Sequence, residues 1–441
     1  MQCVKFHAWL VLSAACGFSP TPGAGDASGQ DALADLCTPN TTACDGRVVK
    51  TCGDDHHWNP SVDRSCAFTC FEGECVAASN VPLDDVATCD ANGAVLAPPA
   101  GSTITLSTTG GTHLDCAPNC GTVGVTSIVA TKTYAAPTPG LSMFCLAKLE
   151  LVGATVMNVA TSASPHEAIA LIVDGSATIN AVISLDGGAA GAGPEGGHGG
   201  PGGYDGATLT SDTGHAGDGP CHGKGGDHDG PTFADHWVGG GGGGAGNQTV
   251  GGYGGKGQCV EGDHTANGGD DGGVCGNDTL VPLVGGSGGG GGGDATVNGP
   301  YGYAGGGGGG ALQISARLGI SISGAVSARG GAGYGTNVVD GGGGGGAGGG
   351  LLFEAPSFAI SGQLNVDGGD GGPSGAGPGG VGASGAQLAQ SGATFTNKGQ
   401  GGSGGGGGGG RIRLVGGNAT CTSGVSPNTS CSTSVLVSVP P

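Results

Sequence analysis

A phrase of alternating apolar residues occurs three times in this chain, each time ending on a charged residue plus Gly-Gly and running into a glycine-rich stretch. The copies are residues 171–188 (LIVDGSATINAVISLDGG), 312–331 (LQISARLGISISGAVSARGG) and 352–369 (LFEAPSFAISGQLNVDGG). In each, two or three alternating runs are separated by a small residue, the pattern of short strands joined by tight turns. At about twenty residues, a phrase has the length of one turn of a parallel β-solenoid. RIRLV at 411–415 begins a fourth copy. The expectation is an all-β chain, a right-handed parallel β-helix with glycine-rich inserts. The repeat specifies architecture and names no substrate.

Glycine supplies 108 of 441 residues, yet no strict Gly-X-Y period runs through the chain and proline stands at 23, so a collagen triple helix is excluded. Val, Ile and Leu cluster into strand-length runs, unlike the thin spread of a disordered chain. Glycine brings no side chain to bury and costs entropy to order, which argues for an elongated stack of coils over one compact globule. The net charge is −21, with only 13 Lys plus Arg. That disfavours nucleic acid, whose binding needs cations to displace counterions, and attraction to anionic lipid. It permits cations, or neutral polymers such as polysaccharides.

The N-terminus reads as an export signal over residues 1–15: Lys5, then AWLVLSAA at 8–15, too short to cross a bilayer. LSAACG at 12–17 resembles the lipobox of bacterial lipoproteins, although Ser13 stands where Leu is usual. The resemblance implies acylation of Cys16 and, with Gly17 following, sorting to the outer membrane or cell surface. The competing expectation is an ordinary secretory cleavage near Ala15 or Ala24. Residues 16–36 form a flexible tether.

Seventeen cysteines follow an extracellular logic. Cys37, Cys44, Cys52, Cys66, Cys70 and Cys75 crowd residues 37–79, a segment too small to hold itself together by hydrophobic burial. Three disulfides are expected, with connectivity open among fifteen pairings. His56 and His57 raise a zinc alternative that an oxidising compartment opposes. Cys89, Cys116, Cys120 and Cys145 are expected to form two bridges pinning the first coils, and Cys421 with Cys431 to close a C-terminal loop. Cys221, Cys259 and Cys275 leave one cysteine over.

From residue 81 the composition turns to Val, Thr, Leu and Ala. STITLS (102–107), TSIVAT (126–131), FCLAKLEL (144–151) and ATVMNVA (154–160) read as strands. The expected organisation is β-helix coils at 80–188, a glycine-rich insertion at 189–310, further coils with glycine-rich loops at 311–420, and a tail at 421–441. Runs of six or more glycines stand at 239–244, 288–293, 305–310, 341–346 and 404–410. Such runs either stay floppy or pack side by side as polyproline-II-like strands, since nothing projects to hold the backbones apart. Their repeated position just before strand starts favours packing.

Together the lipobox-like segment, the cysteine-rich module and a body with GGGGGG inserts resemble a group of uncharacterised glycine-rich bacterial surface lipoproteins. The composition is also similar to glycine-rich repeat proteins of the PGRS kind, which lack the cysteine module. The first resemblance implies a cell-surface location and carries over no catalytic residue.

Candidate chemistry is sparse. His215, His222, Asp227, His228, Asp229 and His236 cluster in the insertion, and imidazole with carboxylate suits a transition metal or calcium; His222, Asp227, His228, Asp229 and His236 are the candidate ligands, against the plainer reading of a solvated loop. GGGGGD at 289–294 fits the start of a calcium β-roll repeat, but Thr296 occupies the apolar position and no tandem copy follows. Asp186, Arg329 and Asp367 end the three phrases and are expected to stack along one edge, an arrangement that would serve a polysaccharide lyase or glycoside hydrolase. Turn chemistry before Gly-Gly explains them equally well. The reading that covers most of the chain is a structural or adhesive surface protein whose partners are polysaccharide, envelope material or surface proteins. It involves no nucleic acid, no cofactor, and no membrane contact beyond a lipid anchor.

Overall fold

The computed structural model describes residues 36–66, 68–76, 78–81, 86, 89, 94–107, 113–117, 128–132, 140–152, 156–159, 167–209, 214–229, 238–260, 264–295, 302–336, 339–384, 387–416, 418–421 and 425–426. The export signal, Cys16 and the tether lie outside them.

The chain is all-β, and its body is a ladder of parallel strands in five rungs, preceded by a partial one, Ala94–Leu96 and Thr103–Ser107, that pairs parallel with the first. The first rung is the long strand Leu141–Leu151 with Val156–Val159. The second is Ala168–Val173, Ser176–Ile179 and Val182–Ser184. The third is Ala311–Ala316, Gly319–Ile322 and Ala325–Ser327. Gly350–Glu354, Ser357–Ile360 and Gln363–Asn365 make the fourth. The fifth is Arg411–Val415, Asn418–Cys421 and Val425–Ser426. Leu141–Leu151 pairs through its first half with Ala168–Val173 and through its second with Ser176–Ile179, so one long strand templates two.

Register stacks like on like. Phe144, Leu171, Ile314, Phe353 and Leu414 form one column. Leu149, Ala177, Ile320, Phe358 and Ala419 form a second, and Met157, Ile183, Val326, Leu364 and Val425 a third. The inward members make one aliphatic core. The strands curl into a half-barrel. After their third strands, rungs two, three and four leave the ladder, and the next rung is reached through glycine-rich segments.

The first strands of rungs two to four are buried on both faces, whereas their second strands alternate between buried and accessible residues. The outer face of the first strands carries Ala170, Ile172 and Leu352, covered by Phe68, Ala78, Val81, Val86, Leu280 and Leu283. A sheet covered on both sides reads as a continuous apolar run. One acid crosses this seam. Glu354, 1% exposed, accepts hydrogen bonds from Ser315 Oγ (2.6 Å), Gln313 Nε2 (3.0 Å) and the Ser79 amide (3.0 Å). Burial pushes its carboxyl pKa up. Thus Glu354 fastens the segment after the cysteine module to the ladder. The opening edge is blunted by antiparallel strands, Ile128–Lys132 against Leu141–Leu151 and His113–Ala117 against Thr103–Ser107, the usual management of an exposed edge.

The cysteine module holds three disulfides, Cys37–Cys52, Cys44–Cys70 and Cys66–Cys75, around small antiparallel strands. Cys89 pairs with Cys145, and Cys221 with Cys275. The cysteine left over is Cys259, a buried thiol. Cys120 and Cys431, and the side chains of Cys116 and Cys421, lie outside the described residues.

The glycine-rich segments are ordered, and their hydrogen bonds repeat every three residues. Gly240, Gly243 and Gly246 donate to the carbonyls of Asp227, Lys224 and Cys221; Gly241 and Gly244 donate to Gly255 and Gly252; Gly242 and Ala245 donate to Gly342 and Gly345. The carbonyls of residues 239–245 cycle in the same way among Gly402, Gly405 and Gly408, then Gly293 and Gly290, then Gly269 and Gly272. Three bond directions in three residues describe a polyproline-II-like helix, which has no internal hydrogen bonds and sends them all outward. The run 239–246 therefore has six neighbours: 221–227, 252–255, 269–272, 290–293, 342–345 and 402–408.

The same pattern of bonds surrounds the runs that contain 288–293, 305–310, 341–346 and 404–410. Each of the five long glycine runs is thus an interior helix of a hexagonally packed bundle. The reason is steric. A Cβ placed on Gly239, Gly240, Gly241, Gly243 or Gly244 would stand 1.9 Å from a neighbour's carbonyl oxygen, so every face of the helix is closed to side chains. Rim helices have one open face, and there the sequence changes to Gly-Gly-X: GGHGGPGGY at 196–204, GGYGGK at 251–256 and GGDGGP at 368–373. His198, Tyr253, Lys256 and Asp370 are exposed, while Gly197, Gly252, Gly255 and Gly369 are turned inward or closed off by neighbouring backbone.

Candidate binding surface

Along 221–227, 250–256 and 267–273 one residue in three is exposed, so side chains emerge from this part of the bundle as a grid. Four helices lie side by side in the outer layer. Helix 221–227 is bonded to helix 267–273 through Lys224 N–H to the Asp270 carbonyl and Asp227 N–H to that of Asn267. Helix 267–273 is bonded to helix 250–256 through Gly254 N–H to Gly269 and Gly251 N–H to Gly272. Helix 250–256 is bonded to helix 390–395 through Gly392 N–H to Tyr253 and Phe395 N–H to Lys256. These bonds bring Lys224, Asp270, Tyr253 and Ser391 into one exposed row, and Asp227, Asn267, Lys256 and Thr394 into the next. Rows are about 9.3 Å apart, three residues at ~3.1 Å each.

The layer is rigid at the backbone, since the glycines between exposed residues are bonded to neighbouring helices. Tyr253 is 54% exposed. Burial raises the Asp271 pKa, and the nearby Tyr253 hydroxyl opposes that rise. Asn267 Nδ2 donates to Asp227 Oδ2 (3.3 Å), and Lys224 Nζ lies 2.8 Å from His222 Nε2. Charges alternate across the grid, Lys224 and Lys256 against Asp227 and Asp270. Sequence reasoning misses this surface, because the Gly-Gly-X triplets are local and out of phase with one another. The triplets themselves are the signal that could have found it.

The candidates drawn from sequence fare differently. Asp186, Arg329 and Asp367 do stack. Val182, Ala325 and Gln363 are in register, and the ladder continues through Gly187 N–H to the Arg329 carbonyl and Gly330 N–H to that of Asp367. Asp186 Oδ1 accepts from the Arg329 amide at 2.7 Å, so this carboxylate caps the strand-to-helix turn. Among the described residues no group of three or more His, Cys, Asp or Glu is arranged to hold an ion. His222 instead bonds the Gly219 carbonyl (2.6 Å) through Nδ1 and Lys224 through Nε2, and Asp227 accepts from Asn267. With a period of three, His222 and His228 share one face but stand about 19 Å apart along the chain, and Asp227 falls on another face. His236 and the side chain of Asp229 lie outside the described residues.

Two other features lie away from this surface. A cavity of about 270 Å³ is lined by Tyr204, Pro220, Asn247, Leu280, Pro282 and Val284 beside the Cys221–Cys275 bridge. At one end of the bundle Asp294, 1% exposed, meets Asp340, whose Oδ1 accepts from the Ala295 amide at 2.9 Å. Burial, reinforced by the neighbouring Asp294 carboxyl, pushes the Asp340 pKa up to about 6.

No family model, curated protein or solved structure matches this chain. Among the described residues no helix is long and apolar enough to cross a membrane.

Proposed function

We propose that this chain is an exported cell-surface protein with a structural or adhesive role, lipid-anchored through Cys16 and presenting its glycine-helix bundle to polysaccharide, envelope material or surface proteins. The observation that carries this reading is the regularly spaced outer layer. Interior glycine helices bonded beneath it hold it rigid, and its exposed side chains offer many weak polar contacts, the arrangement that gains strength from multivalency. The disulfides support export, because such bonds persist in oxidising compartments. Within this reading the rungs wind as right-handed coils, the hand that parallel crossovers take.

Beads coated with the chain from residue 19 onward test the adhesive role. They are expected to stick to cell surfaces or envelope material, and binding no better than beads coated with a reduced, alkylated control overturns it. The anchor is tested separately: Cys16→Ala is expected to leave the membrane fraction, and retention there refutes lipidation.

A polysaccharide-cleaving activity is the second reading, and the stacked Asp186, Arg329 and Asp367 favour it. New reducing or unsaturated ends that vanish in Asp186→Asn or Asp367→Asn would establish it. Wild-type protein that yields no such ends removes it.

A further inference from the structure

We infer that the outer layer around Tyr253 is a binding site for a neutral polysaccharide, with the Tyr253 ring as the platform on which a sugar ring stacks. This inference rests on the adhesive reading and names its site and ligand class.

Three observations carry it. Tyr253 is the large aromatic of the grid, 54% exposed, and it stands between Gly252 and Gly254, whose amides are bonded to neighbouring helices, so its ring is carried on a fixed backbone. The rows beside it supply hydroxyl, amide and charged groups on a backbone that cannot shift: Ser391 and Asp270 in its own row, Lys256 and Thr394 in the next. That combination of one flat apolar face ringed by hydrogen-bonding groups matches a pyranose, which has an apolar ring face and a polar edge.

Charge selects among polymers. The whole chain carries −21, which repels polyanions. On the grid Lys224 and Lys256 offset Asp227 and Asp270, leaving a surface nearly balanced in charge within an acidic molecule. A neutral chain meets no field there, and its repeating units address successive rows of one rigid lattice.

The test uses the whole exported chain on insoluble cellulose and chitin, with polygalacturonate as the anionic comparison. Wild type is expected to be retained on a neutral polymer and not on polygalacturonate. Tyr253→Ala is expected to weaken retention about tenfold or more, and Tyr253→Phe, which keeps the ring, by no more than about threefold. His198→Ala, on a different rim helix, should behave as wild type. Matching circular dichroism and melting temperature exclude misfolding of the variants. Wild type that ignores both neutral polymers, Tyr253→Ala retained as well as wild type, or stronger binding to polygalacturonate would each overturn the assignment. Beads that adhere to cells without competition from a soluble neutral glucan would leave the adhesive reading standing and remove this one.

Discussion

Gly243 and Gly273 are both glycines of the bundle, and replacing each with alanine is expected to move stability in opposite directions. Gly243 lies in an interior helix. A Cβ there would sit 1.9 Å from the Asp270 carbonyl oxygen, well over 1 Å inside an ordinary carbon–oxygen contact. That oxygen has no room to retreat, because it accepts the Lys224 amide at 3.0 Å. Relief means spreading the lattice locally. Overpacking costs about 1–3 kcal/mol, and each buried backbone bond broken adds about 1–3 kcal/mol, so Gly243→Ala should destabilise by about 3–5 kcal/mol. Gly273 is exposed, with nothing within 4 Å of where a Cβ would stand and no positive φ. Gly273→Ala removes freedom mainly from the unfolded chain and should stabilise by about 0.4–1 kcal/mol. Guanidinium unfolding of the two variants with disulfides intact, followed by circular dichroism, reads the difference as opposite shifts of the midpoint. A Gly243→Ala midpoint within experimental error of wild type, or indistinguishable from that of Gly273→Ala, refutes the packing argument.

Three further outcomes follow from the polar groups and the bridge. Asp340, raised from 3.8 to about 6, binds its proton more tightly folded than unfolded; its contribution is complete below about pH 4 and is lost as pH rises to about 6. Asp340→Asn should abolish that part of the pH dependence, worth about 1–2 kcal/mol after solvent screening, in melting curves taken from pH 4 to 7. Glu354 is likewise raised by burial, so Glu354→Gln should flatten stability above the normal carboxylate range, whereas Glu354→Ala, which strands Ser315 and the Ser79 amide, should destabilise by about 1–3 kcal/mol. The Cys221–Cys275 bridge closes a 54-residue separation, and replacing both cysteines with serine should cost about 2–4 kcal/mol in chemical denaturation.

The ladder is largely legible in the sequence. Alternation locates its strands, and the charged residue before Gly-Gly marks the equivalent rung ends Asp186, Arg329 and Asp367. The starts of the three phrases are not equivalent: Leu171 lies opposite Ile314 and, through it, Phe353, not opposite Leu312 and Leu352. The cause is the covered outer face. Leu352 points outward yet is buried, so apolar residues fill both phases of the strand and alternation cannot fix the register.

The bundle is legible only in part. The glycine runs announce close packing, but the absence of a strict Gly-X-Y period over the whole chain conceals the short Gly-Gly-X stretches that separate rim from interior. That distinction is set by how many faces of each helix are covered, a property of the lattice that no single segment encodes. Prolines and charged residues at the X positions, such as Pro373, Asp370 and Lys256, also blunt the rim against addition of further strands, as they do on sheet edges.

Amide hydrogen exchange resolved to single residues decides whether the glycine runs form the interior of a bundle. The glycines of 239–244, 288–293, 305–310, 341–346 and 404–410 should exchange as slowly as the strands of the ladder, while the outward amides of Tyr253 and Asp270 exchange fast. Rapid exchange throughout the five runs, at the rate of an open chain, would mean that no such bundle exists.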